Sequence, residues 1–201
     1  MINTSPYNGS LTREQFLFFE TRTVAKLMSQ GLSDSEIENQ IAQDNLFQCP
    51  TEKTITRVAR ACIRRLHALG DESLITAIAE QPAEVAKQIC LYAMMKQYRL
   101  VWDFMISVIG NKYQQQDLKF NRSDVNVFFI RLQEQDDVVA SWSESTVERI
   151  KQVLLRVLVE NEYIDSNRAN HLNPVMICSI FENAIRNNND TIALPAFNCF
   201  W

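Results

Sequence analysis

Four glycines and five prolines are all that punctuate this chain of 201 residues. So few turn-formers leave little room for a sheet-and-turn fold and favour long helices. Histidine is scarcer still. His67 and His171 lie far apart, with no H-x-x-x-H, no H-E-x-x-H and no cysteine at ligand spacing, so no metal site is expected. No G-x-x-x-x-G-K-[ST], G-x-G-x-x-G or G-x-S-x-G occurs, which removes the phosphate-loop, dinucleotide and hydrolase signatures and leaves no catalytic motif or cofactor to expect. The five cysteines, Cys49, Cys62, Cys90, Cys178 and Cys199, are scattered without a C-x-x-C. That pattern suits a reducing compartment better than a disulfide framework. No apolar run approaches the roughly 18 uncharged residues of a membrane span. The most apolar stretch, 100–109, is short and contains Asp103. The opening MINTSPYNGSLTREQ has no basic region followed by an apolar one, so no secretory signal is read there. A cytoplasmic protein without membrane contact is the expectation.

Net charge is −4, which argues against a uniformly basic nucleic-acid binder. A local basic face on an acidic body stays open, because phosphate contact depends on the local field. The length allows one larger domain or two small ones.

Residues 1–11 read as a polar mobile arm. Thr12 with Gln15 can cap a first helix to about Ser29, stopped at Gly31. Ser33 and Glu36 form a capping box for a helix to about Gln43. Thr51 caps a third helix that ends at Gly70, and Asp71 or Ser73 starts a fourth that Pro82 breaks. Residues 83–109 read as one long helix or two with a kink, ended by Gly110-Asn111. Ser123 is placed as the cap of a helix through VNVFFIRL, a segment whose propensity also allows a strand. Ser145 and Glu148 have capping-box spacing for a helix over 144–160, with Val147, Ile150, Leu154, Val157 and Leu158 inward. Pro174 starts a last helix to about Arg186, and TIALPAFNCFW follows as an extended tail. The domains read as 12–110 and 121–201, divided at the polar NKYQQQDLKF; a single continuous helical body is the alternative.

The third helix carries the clearest candidate site. Lys53, Arg57, Arg60 and Arg64 are spaced by four, three and four, which sets them on one narrow face at 100° per residue. Ile55, Val58, Ala59, Cys62, Leu66 and Leu69 fall opposite, and Arg65 lies to one side. No acidic residue interrupts Lys53–Arg65. Like charges at i,i+4 cost a helix some stability, so this pattern is not optimised for the helix alone. A phosphate-tracking face is one reading, with Thr54 and the N-terminal turn offering further donors. Arg22 and Lys26 of the first helix are added to the site. Two capped helices before a basic third follow the order of a helix-turn-helix, though 44–50 is longer than its usual turn. The plainer alternative is a solvated face paired with Glu36, Glu38 and Asp44.

Two further surfaces compete. Lys112, Lys119 and Arg122 interleave with Tyr113 and Phe120, an arrangement that can stack bases or simply mark a hinge with buried aromatics. The 144–160 helix with YIDSNRANHL could be a recognition helix and wing, exposing Arg149, Lys151, Gln152, Arg156 and Arg168. The aromatic tail Phe197–Trp201 suits docking by a partner or a second copy.

The segment Trp142–Pro174, WSESTVERIKQVLLRVLVENEYIDSNRANHLNP, has a W-S-x-S-T start, a helix, a Y-[IL]-D end and a later L-x-P. It resembles the hallmark segment of the BrxA family of BREX, a bacterial phage-defence system. Phe18–Leu27, FFETRTVAKL, and Tyr92–Phe104, YAMMKQYRLVWDF, are also similar to that family, so the resemblance extends over most of the chain. It implies an all-α multi-helix bundle, likened to the RNA-binding antitermination factor NusB. It also implies a non-enzymatic component that binds double-stranded DNA. A helical scaffold for other BREX proteins and a NusB-like RNA binder are the alternatives, and a homo-oligomer is compatible with each.

Overall fold

A computed structural model of the chain describes residues 4–200. Among them every regular element is helical, and the β content is one isolated antiparallel bridge between Lys119 and His171. The α-helices are α1 (Phe18–Ser29), α2 (Asp34–Gln43), α3 (Glu52–Leu69), α4 (Glu72–Glu80), α5 (Ala83–Gln97), α6 (Arg99–Phe104), α7 (Asn111–Gln114), α8 (Arg122–Gln135), α9 (Asp137–Ala140), α10 (Glu144–Glu160) and α11 (Ser179–Asn187). A π segment, Met105–Gly110, joins α6 to α7, and 3₁₀ turns cover Gly9–Thr12 and Thr191–Phe197.

The helices form two compact units. One is Phe16–Gln97; the other joins the segment ending at Gln15 to everything from Tyr98 onward. The division therefore differs from the 12–110 and 121–201 domains expected from the sequence. Residues 111–120 are polar in composition but stitched into the second unit. Tyr113 and Phe120 are buried, and Lys112 bridges Asp117 at 3.4 Å and Asp124 at 3.0 Å. The N-terminal segment is likewise held. Tyr7 donates to Asp103 at 2.5 Å, the Arg99 guanidinium lies 4.2 Å from the Tyr7 ring, and Leu11 is fully buried. Two apolar anchors in a polar stretch are enough to make residues 7–11 part of a core.

In the Phe16–Gln97 unit, the capping chemistry sets the helix ends. The first helix starts later than the Thr12 cap implies, because Leu17 takes a left-handed conformation (φ 56°) just ahead of α1. Ser33 and Glu36 form the reciprocal capping box of α2. The Thr51 side chain accepts from the Thr54 N–H to start α3, and Gly70 (φ 65°) ends it in the left-handed region that glycine enters without strain. With Ile55, Val58, Ala59, Ala61, Cys62, Ile63, Leu66 and Leu69 buried, α3 packs against α1, α2 and α5.

The second unit departs further from its expected outline. Helix α8 is helical as preferred, but Asn121 caps it, in a reciprocal box with Asp124, rather than Ser123. The cap of α10 is Ser143, accepting from Thr146 N–H; Glu148 turns instead to Lys151 and Arg122. Helix α11 begins at Ser179, five residues past Pro174. The tail is not extended. Thr191–Phe197 coils against the π segment, where a Cβ on Gly110 would meet Pro195 Cβ at 3.2 Å. Phe197 meets Phe181 edge-to-face at 5.0 Å, and Tyr163 donates to the Ala196 carbonyl at 2.9 Å. Phe197 is fully buried, which removes it as a docking aromatic; Phe200 is half-buried, and Trp201 lies outside the described residues.

Candidate nucleic-acid interface

Helix α3 has a wide buried arc, and the cations occupy what remains. Lys53, Arg60 and Arg64 are exposed and Arg57 is half-buried, all on the face opposite Cys62. Arg57 Nε is enclosed without a hydrogen-bond partner. Arg60 Nε donates to both carboxylate oxygens of Glu38 on α2, at 3.0 Å each. Its side chain is still 58% exposed, so the pair screens the ridge without removing Arg60 from solvent. Thr54 is half-buried, and its hydroxyl accepts from the Thr51 hydroxyl at 2.9 Å; it serves the cap at the head of the ridge. At the other end, His67 meets Asp34 at 2.9 Å.

Two of the expected site residues turn inward. Arg65 is 1% exposed, and its Nη1 donates to the Phe16 carbonyl at 2.7 Å. One residue past Arg64 is 100° of rotation, which carries Arg65 between Ala61 and Val58 in projection, inside the buried arc. Arg22 donates from Nη2 to the Gln81 carbonyl at 2.8 Å and stacks 6.0 Å from the Phe18 ring. It ties α1 to the carbonyl end of α4, a natural seat for a cation. Lys26 is exposed, on α1 rather than on the ridge helix. The ridge is therefore Lys53, Arg57, Arg60 and Arg64.

The competing surfaces sort themselves by burial. Around Lys112 the aromatics Tyr113 and Phe120 are core residues, and Lys112 itself is spent on Asp117, Asp124 and the Lys119 carbonyl at 2.6 Å. The stretch after α10 is no β-ribbon wing: Tyr163 and Ile164 are buried, and the bridge at His171 pairs with Lys119. On α10, Lys151 is 12% exposed, held by Glu148 and 5.6 Å from the Phe129 ring. Arg149, Gln152 and Arg156 are exposed on the same helix, and Arg156 donates to the Gln15 side chain. Sequence reasoning missed Gln15, because nothing in the spacing ties a residue before α1 to one on α10.

The ridge and α10 both lie within residues 5–189, the stretch matched by the BrxA family model. The chain belongs to the BrxA family. Its BrxA relatives are matched over 82–85% of their own lengths. "BREX protein BrxA" of Bacillus cereus (strain H3081.97) is 32% identical over 170 residues, covering 85% of this chain and 84% of that protein. "BREX protein BrxA" of Escherichia coli O9:H4 (strain HS) is 27% identical over 175 residues, covering 87% and 82%. A crystal structure of an uncharacterised protein from Magnetospirillum magneticum superposes with a TM-score of 0.80 at 20% identity, covering 96% of this chain and 98% of the other. At that identity the likeness speaks for the fold alone.

Proposed function

We propose that the chain is a DNA-binding component of a BREX phage-defence system, acting in the cytoplasm by binding rather than by catalysis. The relatives' name, BREX protein BrxA, supports the system. The observation that carries DNA binding is the ridge: four cations on the solvent face of an 18-residue helix, with no acid between Lys53 and Arg65.

Each phosphate neutralised by such a cation releases counterions, so log K falls with log salt by about 0.9 per contact on duplex DNA. A ridge of this size predicts a slope of about −3 to −4. Selectivity for base sequence is slight in this reading: α3 carries no Asn or Gln for adenine edges, and its arginines are assigned to phosphates rather than to guanine. Phosphate contacts of this kind position a protein on a duplex without reading it.

Fluorescence anisotropy with labelled duplex DNA and with RNA of matched length, across a salt series, tests the reading. Salt-steep binding that favours duplex DNA is expected. Preference for RNA would move the account to the NusB-like alternative, and absence of binding to both would leave the helical scaffold.

A further inference from the structure

The 4-3-4 spacing of the α3 ridge recurs on α10. Ser145, Arg149, Gln152 and Arg156 follow the same intervals and share one face by the same rotation. Ser145, Arg149, Gln152 and Arg156 are all exposed. With Gln15, Glu148 and Val153 they line a shallow concavity of about 330 Å³.

The chemistry of that concavity is donor-rich. Arg149 and Arg156 are seven positions apart, about 10 Å along the axis, with Gln152 between them. Gln15 accepts from Arg156 Nη1, which pins that guanidinium at the rim and leaves the rest of its fork facing out. The single acid in the lining is already committed. The Glu148 carboxylate meets Lys151 at 2.8 Å and Arg122 at 2.6 Å, and these contacts hold it below the ordinary carboxylate range. Its charge is balanced from the side, so the face presented to a ligand is cationic and amide. Carboxylate or phosphate oxygens are the groups that two guanidinium forks and two amides satisfy. A duplex presents a phosphate about every 3.4 Å of axis on each strand, so the interval between the two arginines accommodates a run of them.

We propose that the α10 concavity is a second duplex-contact surface, in which Arg149 and Arg156 seat phosphates of the backbone, Gln152 donates to the oxygens between them and Ser145 to those beyond Arg149. The proposal rests on the duplex-binding reading but not on where that reading puts the first contact.

The test is a set of salt-series titrations on a labelled duplex with the full chain. Four proteins are compared: native, Arg149→Glu/Arg156→Glu, Arg149→Lys/Arg156→Lys, and Arg57→Glu/Arg64→Glu on α3. Circular dichroism and melting temperature establish that each is folded. The proposal expects the α10 reversal to lower affinity at least about tenfold and to flatten the salt slope by about two. The lysine variant should retain most of the slope, since a phosphate is also served by a point charge. Native affinity and slope in the α10 reversal would overturn it. If that reversal does not fold, Arg149→Gln/Gln152→Ala replaces it: lower affinity with a slope flattened by about one supports the proposal, and native affinity and slope overturn it. Loss in the α10 variant with native behaviour in the α3 variant would sink the α3 placement and leave this one standing. Binding of poly-glutamate as tight as that of DNA, lost in the same α10 variant, would make the face a seat for acidic protein segments and overturn the proposal.

Discussion

The buried guanidinium of Arg65 donates to the backbone carbonyl of Phe16 at 2.7 Å. A cation that stands next to Arg64 in sequence thus belongs to the core, while Arg64 belongs to the surface. Arg65→Ala would leave that carbonyl unsatisfied and open a void, costing about 3 kcal/mol. Arg64→Ala should change stability by no more than about 0.5 kcal/mol and instead reduce the salt slope of duplex binding by about one. Urea unfolding and anisotropy on the two variants check the contrast. Equal stability losses would show that Arg65 is not the structural member of the pair.

Glu38 competes with DNA for Arg60. Its two oxygens hold Arg60 Nε at 3.0 Å on a side chain that remains 58% exposed, and such exposed pairs are worth at most about 1 kcal/mol. Glu38→Gln should therefore leave the fold intact and tighten duplex binding by about two- to fivefold at low salt. Weaker binding in this variant would mean that the pair orients Arg60 for its ligand instead of restraining it.

Gln116 is exposed and held at φ 56°. A side chain in the left-handed region costs about 1–2 kcal/mol, which glycine avoids. Gln116→Gly, offset by the entropy of a freer unfolded chain, should stabilise the protein by about 0.5–1 kcal/mol in chemical denaturation. A loss of stability would show an uncounted role for the glutamine side chain.

Alkaline pH should unlock the second unit. Burial pushes the phenols of Tyr113 and Tyr163 above their ordinary value of 10.0. A raised folded value means that the stability linked to the neutral phenols is fully present below pH 10 and is lost as pH rises beyond it. Tyr113 donates to the Asn173 carbonyl at 2.5 Å and Tyr163 to the Ala196 carbonyl, so ionisation also removes a donor from each. Melting temperature followed from neutral pH upward should fall above pH 10 together with the rise in tyrosinate absorbance. Tyrosinate appearing below that pH while the protein stays folded would contradict the assignment.

The sequence disclosed most where a short-range rule decides the structure. Ser33 with Glu36, Thr51 and Gly70 mark helix ends through contacts a few residues long, and they sit where the spacing puts them. The ridge of Lys53, Arg57, Arg60 and Arg64 follows from 100° per residue alone. What stayed hidden depends on distant partners. Arg65 and Arg22 carry the same charge as the ridge, and only the carbonyls of Phe16 and Gln81 distinguish them. The polar opening segment and the stretch 111–120 read as an arm and a boundary, because nothing local announces that Asp103 waits for Tyr7 or Asp124 for Lys112. The coiled tail depends on Gly110, 85 positions before Pro195, leaving room for a backbone.

The most direct measurement is duplex binding by the native protein and by a folded Arg57→Glu/Arg60→Glu/Arg64→Glu variant across a salt series. Salt-steep binding by the native protein is expected, with affinity lowered and the slope flattened by about three in the variant. The same affinity and the same slope in both would contradict it and remove α3 from the DNA surface.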